Sequence, residues 1–161
     1  MSALVVILMG SKADLAHAEK IAAAAGELGL EVTLRVGSAH KTPERVLTIL
    51  REHEADPRPK VFITVAGRSN ALSGFTDGAV TAPVIACPPP NQDFGGMDVF
   101  SSLRMPSGIA PALVLEPANA ALLAAKILGQ CDPLVRGRVI EFQRGMAEKI
   151  NTDDQELARG R

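Results

Sequence analysis

The 161-residue chain contains no tryptophan and no tyrosine, and five phenylalanines supply all its large aromatic rings. That leaves few of the platforms on which nucleic-acid bases stack. The formal charge is −1 and no basic stripe runs along the chain, so nucleic acid is not an expected partner. Cysteine is scarce: Cys87 and Cys131 lack metal-site spacing, so no metal is expected, and two unpaired thiols suit a reduced, cytoplasmic protein. Long apolar runs are missing as well. The opening MSALVVILMG has no basic n-region and runs straight into glycine, so it reads as a strand rather than a signal peptide, and no membrane association is expected. Neither G-x-x-x-x-G-K-[S/T] nor G-x-G-x-x-G occurs, which excludes the Walker loop and the dinucleotide fingerprint. No repeat or low-complexity linker breaks the chain, and residues 1–161 read as one domain with a polar tail over about 151–161.

What is present is a regular alternation, in a chain of 47% hydrophobic and 22% charged residues that is typical of a soluble globular protein. Val5–Met9 is a continuous β-branched apolar run, as a strand buried on both faces requires. Residues 13–28 carry Leu15, Ala18, Ile21, Ala22, Ala25 and Leu28 at helical spacing. Strands follow over Glu31–Val36, Lys60–Ala66, Pro83–Cys87 and Ala112–Leu115, with helices over Pro43–Glu54 and Pro117–Leu128. The connection 88–108, rich in proline and glycine, is long enough to suggest function and holds a short helix near Val99–Arg104. Such alternation predicts an α/β fold: a three-layer αβα sandwich around a flavodoxin-like parallel sheet of order 2-1-3-4-5. An extra C-terminal helix over Pro133–Ile150 carries Val135, Val139, Phe142, Met146 and Ile150 along one stripe, facing either its own domain or another subunit.

The chemistry-bearing pattern occurs three times. Met9-Gly10-Ser11, Val36-Gly37-Ser38 and Ala66-Gly67-Arg68-Ser69 each end an apolar strand with glycine and then supply a serine. In a 2-1-3 sheet these strands are neighbours, so the serines gather at the carboxyl edge, where open α/β sheets bind ligands. Glycine lets backbone approach a ligand and helix N-termini offer N–H groups to an anion, so the three ends form a cradle for a small phosphorylated molecule. Each piece also has a plain structural reading. Ser11 and Asp14 are spaced as a capping box, Thr42-Pro43 as an N-cap with proline at N1, and Arg68 suits an acidic neighbour. Recurrence at adjacent strand ends is what capping alone does not require. Of the three histidines, His17 falls within the first helix and His53 in the last turn of the second, where a cation suits the helix dipole. Only His40 falls in the cradle, where an imidazole can move protons near neutral pH. Lys41 beside it is either a ligand for phosphate or carboxylate or a solvated cation, and Cys87, without an obvious base partner, reads as a small buried hydrophobe.

The segments GSKAD (10–14), SAHKTPE (38–44), AGRSNALSG (66–74), IACPPP (85–90), SSLRMPSG (101–108) and VLEPANAALLAAKIL (114–128) resemble the PurE family, which acts on aminoimidazole ribonucleotide (AIR) in purine biosynthesis. They span nearly the whole chain, in order. The family has two branches: one isomerises the N5-carboxy ribonucleotide, the other takes CO2 directly. The mutase branch carries SAHR and a loop of the form A-G-x-A-A-H-L-P-G. Here the first reads SAHK and the second AGRSNALSG, with Asn70 and Ala71 near the mutase histidine, so the resemblance is to the class II AIR carboxylases. Ala13 departs from the family's GSxSD and removes one hydroxyl near the phosphate or ribose. The resemblance implies carboxylation of AIR to 4-carboxy-AIR (CAIR) without biotin, ATP or metal, with His40 as proton shuttle. It implies that Ser11 and Asp14 hold the ribose-phosphate end and that Ser38 and Lys41 line the reacting end. Gly67, Arg68, Ser69 and Ala71 would form the floor and CO2 pocket, and the SSLRMPSG loop a cover, from this chain or from a neighbouring subunit. Family members are tetramers or octamers, so a homo-oligomer is implied too. The alternatives are the mutase activity and a non-catalytic nucleotide-binding module.

Overall fold

The run LVVILM forms β1 (Leu4–Met9), and every residue of it is buried, as the uninterrupted apolar sequence requires of a central strand. In the computed structural model, which describes residues 2–160, β1 lies between β2 (Glu31–Val36) and β3 (Lys60–Val65). β4 (Val84–Ala86) and β5 (Ala112–Leu113) complete a parallel sheet of order β2-β1-β3-β4-β5, the order expected. Side chains alternate across β1. Val5, Ile7 and Met9 enter one apolar layer, and Leu4, Val6 and Leu8 the other.

The first layer is closed by α1 (Leu15–Glu27), α4 (Pro117–Leu128) and the start of α5 (Pro133–Arg159). Alanines at 18, 25, 120, 121, 124 and 125 are buried between α1 and α4 and let the two helices approach closely. The second layer is closed by α2 (Pro43–Glu54) and α3 (Ala71–Asp77). α1 stops where Gly29 takes φ 77°, with Leu30 N–H bonding Ala25 O at 3.0 Å and Gly29 N–H bonding Gly26 O at 2.9 Å. A Cβ there would also lie 2.6 Å from Arg138 Nε of α5, but that exposed side chain can move aside, so it is the left-handed turn that calls for glycine. No helix among the described residues is long and apolar enough to cross a membrane.

Three elements differ from expectation. α3 was not anticipated, since no helix is expected between the strands Lys60–Ala66 and Pro83–Cys87 and AGRSNALSG is compared with a loop. Asn70 starts it by accepting Ser73 N–H on its side chain at 3.2 Å, and packing holds it: Met105 Sδ and Ile109 Cδ1 come so near Gly74 and Gly78 that a Cβ at either would meet them at 3.0 Å. The helix expected near Val99–Arg104 is instead a run of 3-10 turns over Asp93–Ser102, broken where Phe94, Gly95 and Gly96 all take positive φ. α5 continues past Ile150 to Arg159, so the polar segment read as a tail is helical over most of its length, with residues 151–160 exposed.

Candidate active site

Register brings the three glycine–serine ends together. Met9 pairs with Val36 on one side and Val65 on the other, so β1, β2 and β3 finish level. The ladder continues one step further, with Gly10 N–H bonding Val65 O and Gly37 N–H bonding Met9 O, each at 2.9 Å. Past Gly10 the chain turns through Lys12–Asp14 into α1. Asp14 Oδ2 reaches back to accept from Ser11 N–H at 3.2 Å and Ser11 Oγ at 3.3 Å. The capping relation and the cradle are thus realised by the same pair.

The turn Ser38–Thr42 is tied by its own polar groups. Thr42 Oγ1 accepts Ser38 N–H at 3.0 Å, Lys41 N–H donates to Ser38 Oγ at 3.2 Å, and Thr42 N–H donates to Ser38 O at 2.8 Å. Thr42 stands at the N-cap position of α2 but makes no side-chain cap bond, its hydroxyl being committed to the turn. His40 sits on this turn with its side chain exposed.

After β3 the backbone takes an unusual course: Arg68 adopts φ 59°, a left-handed conformation costly for a residue with a Cβ. Its N–H is held by Asp98 Oδ2 at 3.0 Å, and its carbonyl accepts from Ser101 Oγ at 3.1 Å. Asn70 N–H donates to Ser101 Oγ at 3.0 Å and Asn70 Nδ2 to Ser102 Oγ at 2.8 Å. The SSLRMPSG segment therefore braces the floor of its own chain's site.

These three ends line one cleft of about 670 Å³. Ser11, Asp14, Ser38, His40, Lys41, Gly67, Arg68 and Ser69 all border it. Ala71 does not: it is the first residue of α3, exposed, and Leu72 takes the place on the cleft wall. The unforeseen helix rotates that position away. Pro89, Pro90, Asn91 and Asp93, which were not expected in the site, also line the cleft, Pro89 lying beside Gly67. The proline run after β4, falling at another strand end, was the signal that could have found them. Asn70, compared above with a mutase histidine, is buried and turned to α3 and Ser102.

Comparison with known proteins decides the family. The AIR carboxylase family model matches residues 4–149. The chain belongs to the AIR carboxylase family. Within it, the phosphoribosylaminoimidazole carboxylase of Treponema denticola is 57% identical over 99% of this chain and 100% of its own. That of Archaeoglobus fulgidus is 53% identical over 94% of this chain and 83% of its own. The crystal structure of Treponema denticola PurE matches with a TM-score of 0.95, covering 96% of this chain and 98% of that one.

In this AIR carboxylase-family fold the remaining histidines lie away from the main cleft. His17 Nε2 is 3.5 Å from Cys87 Sγ, so the thiol does have a neighbouring base, contrary to the sequence reading. The pair is not an activated nucleophile. Burial, with the nearby Glu116 carboxylate, pushes the Cys87 thiol up to about 12, while burial and Lys20 lower His17. His53 lies 3.2 Å from Arg35 and edge-on to Phe62, and burial and Arg35 lower its pKa. It is thus held towards the neutral form, not the cation expected at the helix end. Among the described residues no group of three or more His, Cys, Asp or Glu side chains is placed to hold a metal ion.

Proposed function

We propose that this chain is a phosphoribosylaminoimidazole carboxylase, catalysing reversible carboxylation of AIR by CO2 to CAIR in purine biosynthesis. The observation that carries the reading is the convergence, on one cleft at level strand ends, of an exposed histidine with the glycine–serine turns. Relatives bearing the carboxylase name support it at 57% and 53% identity.

Carbon 4 of AIR is electron-rich through conjugation with the ring amine and attacks the carbon of CO2. A C–C bond forms, and one C–O π pair moves onto oxygen. Carbon 4 then bears both hydrogen and carboxylate, and a base must take that proton to restore the aromatic ring. His40 is that base, and as imidazolium it returns the proton in the reverse direction. Positioned proton transfer of this kind contributes ~10²–10⁴ in rate. Ser11 and Asp14 hold the ribose-phosphate end, where a carboxylate suits ribose hydroxyls and a serine the phosphate. Ser38 and Lys41 border the reacting end. Gly67, Arg68 and Ser69 supply the floor on which CO2 and the new carboxylate rest, with backbone N–H donors in place of water. The chemistry calls for no cofactor. We take residues 1–161 as one catalytic domain, acting in the cytoplasm as a homo-oligomer, tetramer or octamer.

The test is bicarbonate-dependent carboxylation of AIR by the purified protein. His40→Asn should lose most turnover while still binding the nucleotide. Full activity in that variant would remove the proton shuttle. Rapid conversion of N5-carboxy-AIR in CO2-free buffer would instead assign the mutase activity. Nucleotide binding with no turnover in the unaltered protein would assign a binding module.

A further inference from the structure

We propose that Asp98 is a positioning residue for the reaction, fixing through the Arg68 peptide the amide floor on which the carboxyl group is made. The inference rests on the reading of the cleft given above. Asp98 does not line that cleft; it lines the adjoining hollow shared by Arg68, Ser69 and Asn91, with its Oδ2 3.9 Å from where a Cβ on Gly67 would lie. Its Oδ2 accepts Arg68 N–H at 3.0 Å and Asn91 Nδ2 at 3.3 Å, joining the loop after β3 to the loop after β4. Ser101, one 3-10 turn further on, holds Arg68 O at 3.1 Å and Asn70 N–H at 3.0 Å and is itself within 2.8 Å of Asp98 O. Three backbone groups within three residues are thus taken by one segment.

Such bracing has a physical reason. A non-glycine residue at φ 59° is strained and keeps that conformation only where its surroundings over-determine it. A carboxylate gripping a backbone N–H is a charge-assisted bond, stronger than a neutral one. The pattern of bonding also alternates. Arg68 and Asn70 direct their N–H groups to Asp98 and Ser101, whereas the N–H groups of Gly67 and Ser69 are bonded to no described residue. Both of those residues border the cleft. The clamp therefore selects which amides remain available to an anion. Releasing Arg68 from its left-handed turn would re-aim both neighbouring peptides.

The experiment compares Asp98→Ala, Asp98→Asn and Ser101→Ala with the unaltered enzyme, reading kcat, KM for AIR and the thermal unfolding midpoint. Asp98→Ala should lower kcat by up to about 100-fold, the scale of a misplacement near 1 Å, with KM for AIR little changed because the ribose-phosphate end is untouched. Asp98→Asn keeps an oxygen to accept Arg68 N–H and should recover most of kcat. Ser101→Ala should lower kcat in the same sense, and the double variant Asp98→Ala/Ser101→Ala should lose less than the product of the single losses, since both hold one peptide. A folded Asp98→Ala enzyme with undiminished kcat overturns the proposal, as does a loss that Asn fails to relieve. Should Asp98→Ala not fold, Ser101→Ala decides: reduced kcat at constant KM supports the clamp, and unchanged kcat overturns it. An unaltered enzyme without carboxylation would sink the reading of the cleft; an active one indifferent to these changes sinks only this inference.

Discussion

Cys87 and Asp56 carry the largest environmental shifts among the acidic groups, and both are outside the cleft. Cys87 is fully buried beside Leu115 O and His17, and its thiol, pushed up to about 12, stays protonated at neutral pH. Cys131 is exposed. Thiol titration of the native protein should therefore find Cys131 reactive and Cys87 silent, with the second thiol appearing only in denaturant; two fast thiols in the native protein would contradict this burial. Asp56 is held at about 2, below its ordinary 3.8, chiefly by the Arg58 guanidinium, whose Nε donates to Oδ1 and whose terminal nitrogen donates to Oδ2. A depressed folded pKa contributes stability that is present above the unfolded value and lost as pH falls through the folded one. Asp56→Asn should consequently flatten the acid limb of the stability curve between about 4 and 2, read by urea unfolding at a series of pH values. Of the cleft itself, the residues that border it were the most legible part. The glycine–serine ends are local sequence features, and parallel register converts them into neighbours. Asp98 was not legible, because its role depends on a contact thirty residues back, at Arg68, that no local pattern encodes.

The strands and the longer helices were readable because a continuous apolar run or a 3.6-residue stripe is set by burial, and burial decides those elements. α3 was not, since its seven residues include Ser73, Gly74 and Thr76, poor helix formers that succeed only under tertiary packing. The glycines of the cradle likewise divide on inspection. A Cβ at Gly67 would meet only ordinary contacts, the nearest Pro89 Cγ at 3.5 Å, so its smallness concerns approach to the cleft. Gly37 is different: a Cβ would lie 2.8 Å from Val46 Cγ2 and 3.6 Å from Ile49 Cδ1, both on the buried face of α2. Val46 is β-branched and has little rotameric escape. Gly37→Ala should cost about 1–3 kcal/mol of stability by overpacking, measured by denaturant unfolding, and should disturb the His40 turn that begins at the next residue. The control is Val46→Ala, which vacates the space. If the double variant is no more stable than the sum of the single losses predicts, the clash is not the cause.

For the whole molecule, α5 is the element that its own chain fails to satisfy. Val135 and Val139 are buried in the layer shared with α1 and α4, yet every residue from Ile140 to Gly160 is exposed. The expected stripe is therefore split: its first two members pack on this chain, while Phe142, Met146 and Ile150 stand 42%, 53% and 63% exposed. A helical segment of that length gains little from propensity alone in water, and each large apolar side chain left in solvent forgoes about 1.5–3 kcal/mol of burial. A second copy of the chain, offering the same stripe, would cover both and give the closed symmetric assembly typical of soluble oligomers. That contact alone closes a dimer, and the proposed tetramer or octamer joins such dimers through a further face. Sedimentation of the unaltered protein should give that larger species, and Phe142→Glu/Met146→Glu should shift it to smaller species while leaving the sheet's circular dichroism intact. An unaltered protein that sediments as a monomer, or a double variant of unchanged mass, would leave the stripe without this role.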